Sequence, residues 1–451
     1  MNIKSFFSII ISKLAIWACK VFSVGGTNFP GKLALKIDNN ILKIASRDYD
    51  VILITGTNGK TTTTNMIYNI FKTEFKDSTV ITNSSGANLY GGIVTTFIKN
   101  FTFKKTHGPK YAIIEVDEAN VRFITEHIKP KNIAVTNLFR DQLDRYGELY
   151  TTLNKILEGV EKTPESTLLL NGDESLLGKL DVTNKVVYFG FSNYDNSTSD
   201  VNINADAKFC KYCKAAYKYN FVTYNHLGDY YCPECSYKRP ELQYKITDIL
   251  EVTATESTVL IGDDQITINQ PGTYNIYNGL CAYAMGKIFN ISMDSIKNAL
   301  GHQQSSFGRQ ETICINDKEI KIILVKNPAG YDEAINTVCL HKDRINLCFM
   351  LNDNYADGRD ISWIWDVCFE KLPQLDVDSI FISGVRKYDM AVRLKTAGFD
   401  RSKFIICDDY KNVLDAIDSV STKTTYILAT YTAMTDFRKY LSNKGYAKKI
   451  W

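Results

Sequence analysis

Two glycines, two polar residues between them, a lysine and four threonines fill residues 56–64, directly after the apolar run Val51-Ile52-Leu53-Ile54. Glycines at 56 and 59 let backbone N–H groups close on phosphate oxygens, Lys60 is placed to neutralise β/γ charge, and Thr61 or Thr62 can offer a hydroxyl to Mg²⁺. Gly56, Thr57, Asn58, Gly59, Lys60, Thr61 and Thr62 are therefore the expected contacts of a bound nucleotide. The common phosphate loop sets four residues between its first glycine and the Gly-Lys pair, whereas only Thr57 and Asn58 intervene here. Glu115 closes the run Tyr111-Ala112-Ile113-Ile114 and is followed by Asp117 and Glu118. An acid at a strand end beside a phosphate loop is where a hard cation bridging phosphates is held, so Glu115 is expected to hold Mg²⁺ with Thr61.

Two other constellations carry chemistry. Cys210, Cys213, Cys232 and Cys235 form C-x2-C-x18-C-x2-C, and thiolates in two such knuckles converge on one tetrahedral metal, which predicts a Zn²⁺ ribbon. Four thiolates leave no open coordination position, so the site is read as structural. Asn352, Asp353, Asn354, Asp357, Arg359 and Asp360 follow the apolar run Leu347–Leu351 and are too polar for a core. Loops of that kind at the carboxyl edge of a sheet are commonly functional.

The elements that position these residues form two alternating blocks. In the first, short apolar runs at 51–55, 111–115, 132–136, 167–171 and 186–190 alternate with helical stretches, predicting an α/β fold with a parallel sheet and ligands at its carboxyl ends. A cysteine- and tyrosine-rich segment, 205–240, interrupts it. The second block repeats the alternation at 323–325, 346–351, 379–383, 404–407 and 426–429, which predicts another open α/β sheet. The domains so read are 1–49, 50–312 with the 205–240 insert, and 313–451.

The N-terminal segment stands apart. Residues 1–47 hold Lys4, Lys13, Lys20, Lys32, Lys36, Lys43 and Arg47 against one acid, Asp38. Phe6, Ile10, Leu14, Trp17 and Val21 recur at helical spacing, with Ser8, Ser12, Lys13 and Lys20 left for the other side. The stretch 6–22 is too short and too interrupted to span a bilayer, so the expectation is an amphipathic helix, packed on its own domain or leaning on anionic lipid. Over the whole chain 53 Lys and Arg face 50 Asp and Glu, a balance that argues against nucleic acid as the main partner. Paired cysteines and no signal-like start point to a reducing cytoplasm.

The segment T-G-T-N-G-K-T-T resembles the phosphate loop of the Mur ligase family, which joins carboxylates to amines using ATP. Thr136, Asn137, Asp141, Leu143 and Asp144 match that family's T-N-x-x-x-D-H-L-D segment, while Gln142 replaces its histidine and puts a second metal ion in question. Further likeness lies in LNGDES (170–175), GTYNIYNGLCAYA (272–284), FGRQE (307–311) and Asn327-Pro328, where Lys326 stands in place of a family histidine. The resemblance implies a central ATP-binding domain carrying the zinc ribbon, a Rossmann-like C-terminal domain, and nucleotide contacts from Asn275 and Arg309.

NDNxADGRDxSWIxD (352–366) looks like the hallmark of the amidating branch of the family. That branch implies ATP-dependent conversion of the D-glutamate α-carboxylate of the lipid II stem peptide to D-isoglutamine through an acyl phosphate. It also implies ammonia from a class I glutaminase subunit (GatD-like) in a heterodimer, with Asp360, or as the lesser alternative Asp357, completing the partner's triad, and a cytoplasmic protein peripheral at the inner face of the cell membrane. Only about fifty residues precede the phosphate loop, so the family's UDP-gripping domain is not expected. The rival readings are an ordinary Mur-type or folylpolyglutamate-type amino-acid ligase, and a nucleotide switch that binds nucleic acid through its ribbon.

Overall fold

The structure, a computed structural model, describes residues 2–22, 27–83, 86–104, 108–140, 149–194, 206–303 and 309–447. The first sheet is built from β1 (Asp50–Thr55), β2 (Thr79–Thr82), β3 (Lys110–Glu115), β4 (Asn132–Val135), β5 (Thr167–Asn171), β6 (Val186–Phe191), β9 (Tyr244–Val252), β10 (Ser257–Ile261) and β11 (Asp264–Ile268). Their order is β11-β10-β9-β6-β5-β4-β1-β3-β2. Strands β1 to β6 are parallel and each is a short run of branched or aromatic side chains, as burial on both faces demands. Alternate residues of β1 enter opposite cores: Ile52 and Ile54 pack with the helix Thr273–Ile288 on one face, Val51 and Leu53 with the N-terminal helices on the other.

The sheet is mixed rather than purely parallel. β10 pairs antiparallel with both β9 and β11. The Gly262-Asp263 turn, with Gly262 at φ +61°, closes a hairpin that no crossover helix could accompany.

The second sheet contains β12 (Arg309–Ile315), β13 (Lys318–Leu324), β14 (Ile345–Met350), β15 (Val377–Ser383), β16 (Phe404–Ile406) and β17 (Thr424–Ala429) in the order β12-β13-β17-β14-β15-β16. It is parallel except for the β12–β13 hairpin, whose turn places Asn316 at φ +54°. Since β12 already belongs to this sheet, the boundary drawn at 312/313 falls inside a strand. The 205–240 segment holds the small hairpin β7 (Lys218–Tyr224) and β8 (Leu227–Tyr231), with a tyrosine-rich core of its own.

At the N-terminus, α1 (Ile3–Val21), α2 (Phe29–Ile37) and α3 (Ile41–Ser46) pack beside α5 (Tyr90–Asn100). The expected amphipathic helix forms, and its packed face is made of serines together with isoleucine: Ser5, Ser8, Ile9 and Ser12 are fully buried, Ile16 packs against the same core, and Ser8 Oγ donates to Ala34 O at 3.0 Å. The serines let α1 approach α2 closely, while Ile3, Phe6, Phe7, Leu14, Trp17 and Val21 are left exposed. Among the described residues no helix is long and apolar enough to cross a membrane.

Candidate active site

β1 runs between β3 and β4, and the register pairs Ile54 with Glu115 and Thr55 with Val135. The phosphate loop, Glu115 and Thr136 therefore emerge together at the carboxyl edge, where open α/β sheets bind ligands. Gly56 adopts φ +120°, and a Cβ there would sit 2.4 Å from Thr136 Oγ1. Gly59, at φ +82°, opens α4 (Lys60–Glu74), and a Cβ there would meet Asn278 Oδ1 at 2.1 Å. Only glycine fits either position, so the loop backbone lies open at a helix N-terminus, the arrangement that suits phosphate.

Its outer wall is pinned by the strand that follows. Thr57 N donates to Asn137 O at 2.9 Å, Asn58 N to Asn137 Oδ1 at 2.8 Å, and Thr136 Oγ1 to Asn58 O at 2.7 Å. Asp141, Gln142 and Asp144, which the sequence ties to the same segment, lie outside the described residues.

Lys60 is nearly buried and turns back on its own loop, donating to the carbonyls of Gly56 and, at 3.3 Å, Thr57, and pairing with Glu118 Oε1 at 3.2 Å. Burial pushes the Glu118 carboxyl up, against the pull of the Lys60 ammonium. Thr61 Oγ1 donates to Glu115 Oε2 at 2.9 Å, while Asn88 Nδ2 holds Glu115 Oε1 at 3.0 Å. A hydroxyl and a carboxylate juxtaposed beside a phosphate cradle are hard oxygen donors of the kind Mg²⁺ takes. Asn88 carried no sequence signal, because its role depends on the loop before α5 folding back over β3.

Between the sheets a cleft adjoins the loop, lined among others by Asn58, Gly59, Thr62, Tyr274, Asn275, Asn278 and Lys326. Asn275 is thus brought to the cleft; its Nδ2 donates to Pro271 O at 2.8 Å and its Oδ1 accepts from Asn278 Nδ2 at 3.1 Å. The side chain of Arg309 lies outside the described residues. Residues 326–327 close the far side: Lys326 Nζ donates to Thr57 O at 3.3 Å, and Asn327 Nδ2 to Asn58 Oδ1 at 3.2 Å. Glu333, on the helix Pro328–Cys339 behind them, is pushed up to about 7 by burial.

The four predicted cysteines come together. Their sulfurs all lie within 4.8 Å of one another, with Cys210–Cys235 at 3.7 Å and Cys213–Cys232 at 3.3 Å. A tetrahedral ion with metal–sulfur bonds of about 2.3 Å requires sulfurs roughly 3.8 Å apart, so the donor set fits Zn²⁺. The hairpin beneath is tied to the first sheet by buried polar contacts: His226 Nε2 to Glu174 Oε2 at 2.8 Å, Arg239 to Asp173 at 2.7 Å, and Tyr237 Oη to Gly178 O at 2.9 Å. Glu174 Oε2 also accepts from Leu138 N at 3.1 Å, which links the insert to the wall of the phosphate loop.

Asp360 lies in the loop that follows β14. It is exposed, and its Oδ1 accepts from Ser362 N at 2.8 Å. Asp357 is only 3% exposed; its carboxylate receives Thr432 N at 2.7 Å, the Thr432 hydroxyl and Asn354 N at 3.2 Å, and so braces its own loop.

A short phosphate loop at the switch point of a mixed sheet, followed by a second α/β domain, defines a Mur-type ligase. Residues 54–286 match the Mur ligase middle domain, and residues 324–434 the MurT ligase C-terminal domain. The fold is similar to a pseudomurein peptide ligase type C from Methanothermus fervidus (TM-score 0.66, 20% identity, covering 94% of this chain and 85% of that one). It is also similar to MurF from Thermotoga maritima in complex with ADP (TM-score 0.61, 12% identity, 91% and 85% covered). The chain is 38% identical to the lipid II isoglutaminyl synthase (glutamine-hydrolyzing) subunit MurT of Streptococcus pneumoniae over 100% of its length and 99% of that protein. Against the subunit of the same name from Staphylococcus aureus it is 33% identical, with 91% and 92% covered. The chain belongs to the MurT family of Mur ligases.

Proposed function

We propose that this chain is the synthetase subunit of a glutamine-hydrolysing lipid II isoglutaminyl synthase: it amidates the α-carboxylate of D-glutamate in the lipid II stem peptide at the expense of ATP. The observation that carries the reading is full-length similarity to MurT subunits combined with a phosphate loop whose Thr61 and Glu115 face each other at 2.9 Å. A carboxylate resists amines until it is activated. Its oxygen attacks the γ-phosphorus, ADP departs, ammonia adds to the acyl phosphate, and phosphate leaves as nitrogen loses its proton.

Gly56, Thr57, Asn58, Gly59, Lys60, Thr61 and Thr62 would cradle the phosphates, with Asn275 and Arg309 contributing to nucleotide binding. Lys60 would swing from Glu118 to the transferring phosphoryl, where fixed charge is worth most. Thr61 and Glu115 would hold Mg²⁺, which supplies charge neutralisation at the phosphates. Cys210, Cys213, Cys232 and Cys235 would hold Zn²⁺ as a structural ribbon.

Ammonia would come from a class I glutaminase subunit of the GatD kind, and the exposed Asp360 would orient the histidine of that partner's triad. Work on a lipid-carried substrate places the protein peripherally at the inner face of the membrane. The test is co-purification with the native partner followed by amidation assays: glutamine should support turnover with the partner present, and ammonium without it. ADP release that responds to amino acids and not to ammonium would favour the ordinary Mur or folylpolyglutamate type instead.

A further inference from the structure

The outward face of α1 leaves large apolar side chains in the open although the helix is already packed on its domain. Leu14 is 60% and Trp17 64% exposed, and Ile3, Phe7 and Val21 share their side of the helix. Phe103 extends the patch, its ring 5.4 Å from that of Phe6. At 100° per residue, Lys4 borders this stripe on one side and Lys13 and Lys20 on the other. No acid answers them: Asp38, alone among the first 47 residues, is buried and accepts from Ser5 Oγ at 2.6 Å and Asn40 N at 2.9 Å.

We infer that α1 is a lipid-seating helix, lying in the headgroup region of an anionic bilayer with its Leu14–Trp17 face inserted and Lys4 and Lys20 on the phosphates. The division of the helix makes this possible. Because Ser5, Ser8, Ile9 and Ser12 already supply the face that packs on the domain, the exposed apolar residues on the opposite side are free to serve a second medium without loosening the fold. Charge selects the occupant. A second copy of the chain would bring two lysine-bordered faces together with no acid on either, while phosphatidylglycerol-type headgroups supply the complement. The inference rests on the proposed function only in that a lipid-carried substrate gives the seating a purpose.

The experiment mixes the full-length protein, without nucleotide or substrate, with vesicles of phosphatidylcholine alone or doped with phosphatidylglycerol, and sediments them. Binding to the anionic vesicles is expected, at least about tenfold weaker in Leu14→Glu/Trp17→Glu. Lys4→Glu/Lys20→Glu should erase the preference for anionic lipid. All four side chains are exposed, so melting temperatures should match the wild type; if the apolar pair proves unstable, Trp17→Glu alone is read. Failure of the wild type to sediment, or equal sedimentation of Leu14→Glu/Trp17→Glu, overturns the inference, as does a wild-type dimer that this variant dissolves without any vesicle binding. ADP release with ammonium and a water-soluble stem peptide should be unchanged in the variant. A chain that seats on lipid but lacks that turnover would sink the ligase reading and leave the seating intact.

Discussion

At the scale of single residues, Lys60 is paired with the buried Glu118 at 3.2 Å, and that fixes how a substitution must be read. Lys60→Ala should lower ADP release on the order of 10³-fold, because a preorganised charge on the transferring group is lost. It also strands a buried carboxylate, so stability should fall by roughly 1–3 kcal/mol. Lys60→Ala/Glu118→Gln should regain that stability, measured by denaturant melt, while ADP release stays absent; recovery of turnover would remove Lys60 from the reaction. Glu333 gives a pH signature. Its folded pKa of about 7 lies above the ordinary 4.5, so the neutral form is the one the fold prefers. Stability from this group is complete below about pH 4.5 and is lost as pH rises through about 7, at most on the order of 3 kcal/mol. Glu333→Gln should flatten that part of the thermal stability curve, and a curve unchanged by the substitution would contradict the assignment. Asp332 is likewise raised, to about 6, chiefly by burial, so some slope should persist.

At the scale of elements, the parallel strands were legible because each is a short apolar run ending in a polar residue, and Glu115 and Thr136 stand where those ends predict. Two of the hairpins had a readable cue that apolar runs alone obscure: Gly262-Asp263 and Asn316-Asp317 are two-residue turns, and each makes the edge strand of its sheet antiparallel to its neighbour. The helix α1 was legible as amphipathic, but not which face docks, since the face of Ser5, Ser8, Ile9 and Ser12 and the more apolar one opposite repeat at the same helical period. Nor could spacing alone show how the cysteine insert is anchored. His226 is fully buried, and the Glu174 carboxylate raises it against the opposing effect of burial. Because Glu174 also receives Leu138 N, loosening the ribbon should reach the phosphate loop mainly as lost stability. Cys210→Ser or Cys232→Ser is expected to release about one zinc per chain, by metal analysis, and to lower the melting temperature more than it lowers ammonium-driven turnover, metal binding in such ribbons being folding energy. Full metal content in both variants would refute the site.

At the scale of the whole molecule, two sheets share one cleft. There Asn327 meets Asn58 and Lys326 meets Thr57, so that the phosphate loop and the second domain meet at a single place. That meeting was not legible, because hydrogen bonds spanning 269 residues leave no local period. The loop after β14 carries Asp360. Its neighbour Asp357 spends its carboxylate on Thr432 and Asn354, which leaves Asp360 as the acid of the DGRD run turned outward, with one described hydrogen bond, to Ser362 N. An acid offered to a partner's histidine must be exposed in the isolated chain and shape-neutral when amidated. Asp360→Asn keeps an oxygen for Ser362 N, and so the loop, while losing the charge that stabilises an imidazolium. Glutamine-driven amidation and glutaminase activity of the complex should therefore fall together, on the order of 10⁴-fold by analogy with the third member of hydrolase triads. Ammonium-driven amidation should persist at its wild-type rate. Asp357→Asn, in contrast, should destabilise the second domain and depress both activities to the extent that it unfolds. Equal collapse of the ammonium-driven rate in a well-folded Asp360→Asn complex would move that carboxylate into the synthetase site and end its assignment to the partner's triad.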